Sequence, residues 1–231
     1  TQSVAIGGDV RSIGQSSIAI GGDDIDQAKP DLYKVIPDLA VPGTQKNFNR
    51  EVAALHPGGL GTAALNDSKN YVNTASIGNA SLAIGMMTQS LGTGSNAIGA
   101  NSLSKGVASS AIGAMARSWG NNSLAIGSQA GAYGEKSTSL GDANIVGFDM
   151  TNATLSGSAA GALGRGNMVY GNNAYAIGSE NTVGTATVTE TTESNGDKIK
   201  KVTAGTVKGN KAGAFGYKNT ITTDNSYVVG S

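Results

Sequence analysis

The chain has no cysteine and one histidine. The first excludes disulfides and thiolate metal sites. The second leaves a Ser-His-Asp hydrolase only His56 to work with, in Ala54-Leu55-His56-Pro57-Gly58. Aromatics make up 5% and charged residues 14% of the chain, too little bulk to fill one large globular core. All four prolines, Pro30, Pro37, Pro42 and Pro57, fall in a single stretch. No apolar run reaches the roughly 18 residues that a membrane-spanning helix requires. The 16 basic and 16 acidic residues cancel, so there is no basic footprint for nucleic acid. No secretory leader is recognisable, and the chain opens inside a motif at Thr1-Gln2-Ser3-Val4-Ala5-Ile6-Gly7. The expectation is a fragment of a longer protein, with targeting and anchoring segments elsewhere.

What the chain does have is glycine: 35 of 231 residues, about twice the usual share of roughly 7%. The glycines are periodic. Ser-x-Ala-Ile-Gly recurs at Ser3–Gly7, Ser17–Gly21, Ser81–Gly85, Ser95–Gly99, Ser109–Gly113 and Ser123–Gly127, and as STSLG at Ser137–Gly141. Looser copies close at Gly164, Gly178, Gly216 and Gly230. The closing glycines step by 14 residues except at three insertions, and a second glycine sits seven residues before most of them. Half a repeat holds a short strand and a corner, and is too short for a helix. A repeat of this kind builds a stacked solenoid in which each coil buries its neighbour.

Within each strand the pattern alternates with period two. The column before the closing glycine is large and apolar (Ile84, Ile98, Ile112, Ile126, Leu140), and the expectation is that it forms the core. The column before that is small (Ala83, Ala97, Ala111, Ala125, Ser139), so something must approach it closely, either the opposite strand or another chain.

These repeats resemble the YadA-like head of trimeric autotransporter adhesins. The resemblance implies an all-β, left-handed parallel β-roll of 14-residue, two-strand coils, assembled as a homotrimer. It also implies a head displayed on the bacterial cell surface that binds host extracellular-matrix proteins (collagen, fibronectin or laminin) or host-cell receptors. Membrane anchoring would come only from stalk and anchor segments outside this fragment. Later coils depart from the pattern: Asn144 with Val146, Asn167 with Val169, Asn181 with Val183 and Asn219 with Ile221 replace the small-x-small half-repeat.

The expected organisation is one head domain over residues 1–231, interrupted at about 22–71, 147–156 and 184–207. The first insertion holds the prolines and His56, with a short helix expected over Asn47–Leu55. The third reads as a hairpin around Ser194-Asn195-Gly196-Asp197, since Asn-Gly favours a type I′ turn. The second and third should leave the roll at the same corner. Loops on a rigid scaffold are natural recognition sites.

No catalytic residue, cofactor or metal is expected. Gly21-Gly22-Asp23-Asp24-Ile25-Asp26 is acidic but lacks the full ligand series of a calcium loop. The candidate ligand-binding residues are Lys105, Arg117, Trp119, Tyr133 and Tyr170. Lys105, Trp119 and Tyr133 follow Leu91 in one column on successive coils, opposite in direction to the small residues, and are expected as an exposed aromatic and basic stripe. The alternatives to an adhesin are an ice-binding or purely structural solenoid, or a solenoid acyltransferase. The first needs an unbroken Thr array, and the last a hexapeptide repeat with a catalytic histidine.

Overall fold

The structure is a computed structural model that describes residues 2–22, 73–147, 157–192, 198–202 and 206–231. Short parallel strands stack into two sheets. One has eleven strands, from Val4–Ile6 to Tyr227–Gly230, and is built from the Ser-x-Ala-Ile-Gly segments. The other has ten, from Arg11–Ser12 to Thr220–Ile221, and takes the intervening half-repeats. The described residues contain no helix, and the architecture is a β-roll.

Register follows the repeat. Ile98 pairs with Ile112 and Ile112 with Ile126, one coil per 14 residues. The insertions do not disturb it: Ile20 pairs with Ile84, Leu140 with Leu163, and Ile177 with Phe215. The expected helix over Asn47–Leu55, His56 and the acidic Asp23–Asp26 lie outside the described residues. The hairpin is present, with Val188–Thr192 antiparallel to Lys198–Val202; its turn lies outside the described residues. It departs after Thr182–Val183 and returns before Gly209. The second insertion departs after Ile145–Val146 and returns at Gly157, at the same corner.

Corners explain the glycines. Gly113 has φ +128°, and an added Cβ would lie 2.4 Å from the carbonyl oxygen of Gly127 on the next coil. Two residues after a corner glycine the chain is left-handed even where no glycine stands, as at Ala108 (φ 53°) and Asn122 (φ 55°).

The core reverses one expectation. Ala83, Ala97, Ala111 and Ala125 are fully buried, while the isoleucine column points out of the roll. Ile6, Ile126, Leu163 and Ile177 are exposed, and Ile84, Ile98 and Ile112 are half-buried. What approaches the small column is the opposite sheet of the same roll. The two sheets are joined by corners of only a few residues, so the interior of the first coils holds Ala and Ser, and the isoleucines face outward.

The interior changes character along the roll. In the first coils it is lined by paired serines: Ser76–Ser81, Ser90–Ser95, Ser104–Ser109 and Ser118–Ser123 meet hydroxyl to hydroxyl at 2.6 Å. From Val146 onward this column turns apolar, with Val146, Val169, Val183 and Ile221 packed in one cluster with Ala160, Ala174 and Ala212. The polar contacts move to the other corner, where four asparagines form a ladder. The side-chain amides of Asn167, Asn181 and Asn219 each donate to the Oδ1 of the preceding asparagine, at 2.9, 3.0 and 3.0 Å. Each also donates to a corner carbonyl, Asn167 to Gly178 and Asn181 to Gly216. Earlier in the same column Thr88 Oγ1 donates to the Gly99 carbonyl at 2.6 Å. The Asn-x-Val half-repeats are thus a second solution to the same coil.

Candidate functional site

The outer face of the ten-stranded sheet carries the side chains that point away from the core at alternate positions of each half-repeat. Leu103, Arg117, Gly131 and Ile145 form one such column by ladder pairing. Leu91, Lys105, Trp119 and Tyr133 form the next. The structure brings Lys105, Trp119 and Tyr133 together. The Lys105 Nζ lies 4.3 Å from the Trp119 ring centroid, and the Trp119 and Tyr133 rings are 5.7 Å apart, tilted by 58°.

Trp119 is not an exposed contact residue as expected; it is only 6% exposed. It packs with buried Met87 and Leu103, flanked by Met86, Leu91 and Tyr133. The column logic correctly turned Trp119 away from the interior. It missed that Met87 and Leu103 lie on the same outer face, and together they make a small apolar cluster outside the roll. Among the described residues the buried Trp119 indole N–H has no hydrogen-bond partner. A group in that state contributes through packing, since an unmet buried donor costs about 1–3 kcal/mol. Lys105, Arg117 and Tyr133 are half-buried around it.

Tyr170 stands apart. Gly147 intervenes in its column, two coils from Tyr133, roughly 10 Å along the ladder. Its phenol is held above the ordinary pKa by burial. It lies beside the corner from which the second insertion leaves, since Gly157 N–H donates to the Tyr170 carbonyl at 2.9 Å.

A cleft of about 260 Å³ opens on this face, lined by Met115, Arg117, Gln129, Ala130, Tyr133, Ala143 and Ile145. Arg117 and Tyr133 were legible as candidates; Met115, Gln129 and Ile145 were not. Gly131, between Arg117 and Ile145 in their column, makes room for the Tyr133 ring, whose Cε2 would lie 2.6 Å from a Cβ there. The described residues contain no group of three or more His, Cys, Asp or Glu able to hold a metal ion.

Residues 104–130 and 120–144 match the model of the YadA head domain repeat (2 copies). Residues 104–144 of the roll are built of YadA-head-type repeats. The matched span includes Lys105, Arg117, Trp119 and Tyr133, so the candidate face lies on family repeats rather than on an insertion. The YadA head family is a family of adhesins, and the match favours a function of that type. No curated protein matches the chain.

Proposed function

We propose that this chain is the head of a homotrimeric bacterial surface adhesin. In this reading it is carried at the outer membrane by a stalk and anchor outside the present sequence. It binds host extracellular-matrix proteins such as collagen, fibronectin or laminin, or host-cell receptors. The observation that carries the reading is the outward isoleucine column. It runs in register across eleven strands, roughly 50 Å at about 4.8 Å per strand. A continuous apolar stripe of that length is more than a monomer ordinarily leaves to water. Self-association about an axis parallel to the roll would cover it; the count of three comes from the resemblance to YadA-like heads. The opposite, ten-stranded face would then point outward. There Lys105, Arg117 and Tyr133 are the proposed contact residues, with Trp119 as packing beneath them and Tyr170 as a separate contact. Three copies add avidity to weak individual sites.

The test is adhesion of the purified assembly to surfaces coated with collagen, fibronectin or laminin, and to host cells. A Lys105→Ala/Arg117→Ala/Tyr133→Ala variant and a hairpin deletion are measured beside it. Binding by the parent, lost in the triple variant with assembly intact, supports the reading. Binding to none of the surfaces contradicts the adhesin role. Binding lost only with the hairpin moves the site to the insertion.

A further inference from the structure

The asparagine ladder has a direction, and it leaves one place open. At each step the asparagine of the following coil brings two donors, its backbone N–H and its side-chain amide, to the Oδ1 of the asparagine before it. Asn167 does so to Asn144 at 2.9 and 2.9 Å, Asn181 to Asn167 at 3.0 and 3.0 Å, and Asn219 to Asn181 at 3.0 and 3.0 Å. The last of these steps spans 38 residues and the hairpin, so the pairing follows the stack and not the distance along the chain. Asn219 makes its own donations, to the Phe215 and Gly230 carbonyls at 3.2 and 3.0 Å. Its Oδ1 receives no donor from any described residue.

The backbone around it is open in the same way. The Met168 N–H donates to the Asn181 carbonyl and the Thr182 N–H to the Asn219 carbonyl, both at 2.8 Å. Thr220 is next in that series, and Thr220–Ile221 is the last strand of its sheet, as Tyr227–Gly230 is of the other. Val228 stands in the column that Ala176 and Ala214 fill in the two coils before it; it is 36% exposed, and they are fully buried. Folded proteins usually blunt such an edge with charge, proline or a bulge. These two edge strands contain no proline and no charged residue. An unprotected edge is a template for strand addition.

We propose that the open edge of the last coil is a strand-acceptor slot that takes an Asn-x-(Val or Ile) half-repeat in parallel register. The incoming asparagine donates its backbone N–H and its side-chain amide to Asn219 Oδ1, and its carbonyl accepts from the Thr220 N–H. The apolar residue two places on stacks over Ile221, as Val183 does over Val169 and Ile221 over Val183. A half-repeat with alanine in the asparagine's place, as at Ala130 in Gln129-Ala130-Gly131-Ala132, has no side-chain donor for Asn219. The slot therefore selects one of the chain's two half-repeat types. The proposal concerns the end of the roll and is independent of the adhesin reading.

The experiment appends Glu-Asn-Thr-Val to the full 231-residue chain. Gly230-Ser231 matches Gly178-Ser179, after which Glu180-Asn181-Thr182-Val183 follows, so the extension enters in register. The comparison extension is Glu-Ala-Thr-Val. Hydrogen-exchange mass spectrometry of the segment holding Thr220 and Ile221 is the readout. The expected result is exchange about tenfold slower with Glu-Asn-Thr-Val than with Glu-Ala-Thr-Val. In Asn219→Ala the two extensions should become equal. In Asn219→Asp, which keeps an Oδ acceptor, the difference should persist. Equal exchange with the two extensions on the parent, or a difference that survives in Asn219→Ala, overturns the proposal. Protection already present in the unextended chain and rising with its concentration would give the edge to a second copy, and overturns it too. None of these outcomes touches the adhesin reading, which adhesion of the whole head tests.

Discussion

Ser118 and Ser123 meet hydroxyl to hydroxyl at 2.6 Å in the middle of the roll, and Ser123 donates onward to the Gly120 carbonyl at 2.6 Å. With the Ser123 proton committed to Gly120, the Ser118 O–H donates to Ser123 Oγ. The pair is therefore directional, and its two members are not equivalent.

Ser123→Ala alone should cost about 2 kcal/mol, because it strands the buried Ser118 O–H. Ser118→Val alone should cost about 1–3 kcal/mol by overpacking. The double variant reproduces the Val146 and Ala160 arrangement of the later coils. It should therefore cost at least about 1 kcal/mol less than the sum of the singles. A double-mutant cycle by urea denaturation reads this directly; simple additivity would show that the two core solutions are not concerted.

The asparagine ladder should be the costliest place to cut in the later coils. Asn167→Ala removes the acceptor for the Asn181 backbone N–H and side-chain amide, and the donor to the Gly178 carbonyl. The expected loss is about 3 kcal/mol, since several buried groups are left unmet at once. Asn167→Thr should recover part of it, because Thr88 already serves a corner carbonyl from the same column. Thermal melts of the two variants, compared with the parent, check the order.

Some residues sit in a backbone conformation their side chains do not favour. Ala108 has φ 53° and is exposed, while Gly94 holds the same place one coil earlier at φ 66°. Ala108→Gly should stabilise the roll by about 0.5–1 kcal/mol, the relief of left-handed strain outweighing the added freedom of the unfolded chain. A lower melting temperature for this variant would contradict the strain argument.

Much of this was legible in the sequence because a parallel roll converts spacing directly into register. Gly99, Gly113 and Gly127 had to stack once their interval was 14, and Ile20 had to find Ile84 across the first insertion. The sidedness of the strands was misread for a physical reason. Bulk usually marks a core, but the gap between these two sheets fits only Ala111 and Ser109, so Ile112 is turned outward. The constancy of the small column was the better guide to the interior. At the candidate site, Arg117 and Tyr133 could be named from their columns. The cleft itself brings Met115, Gln129 and Ile145 beside them, which shows only once the neighbouring coils are stacked. Trp119 was turned to the correct face, but its burial by Met87 and Leu103 follows from packing that the repeat pattern does not encode.

The central claim is that neighbouring residues of one strand divide the work: Ala111 packs inside a roll, and Ile112 packs between rolls. Sedimentation velocity at micromolar concentration tests it, on the parent chain and on Ile98→Asp/Ile112→Asp, with β-sheet content followed by circular dichroism. The account predicts a parent mass three times the 22.9 kDa of the chain, and a double variant that keeps its β-sheet signal while losing the trimer. A parent that sediments as a folded monomer, or a double variant that remains fully trimeric, would contradict it.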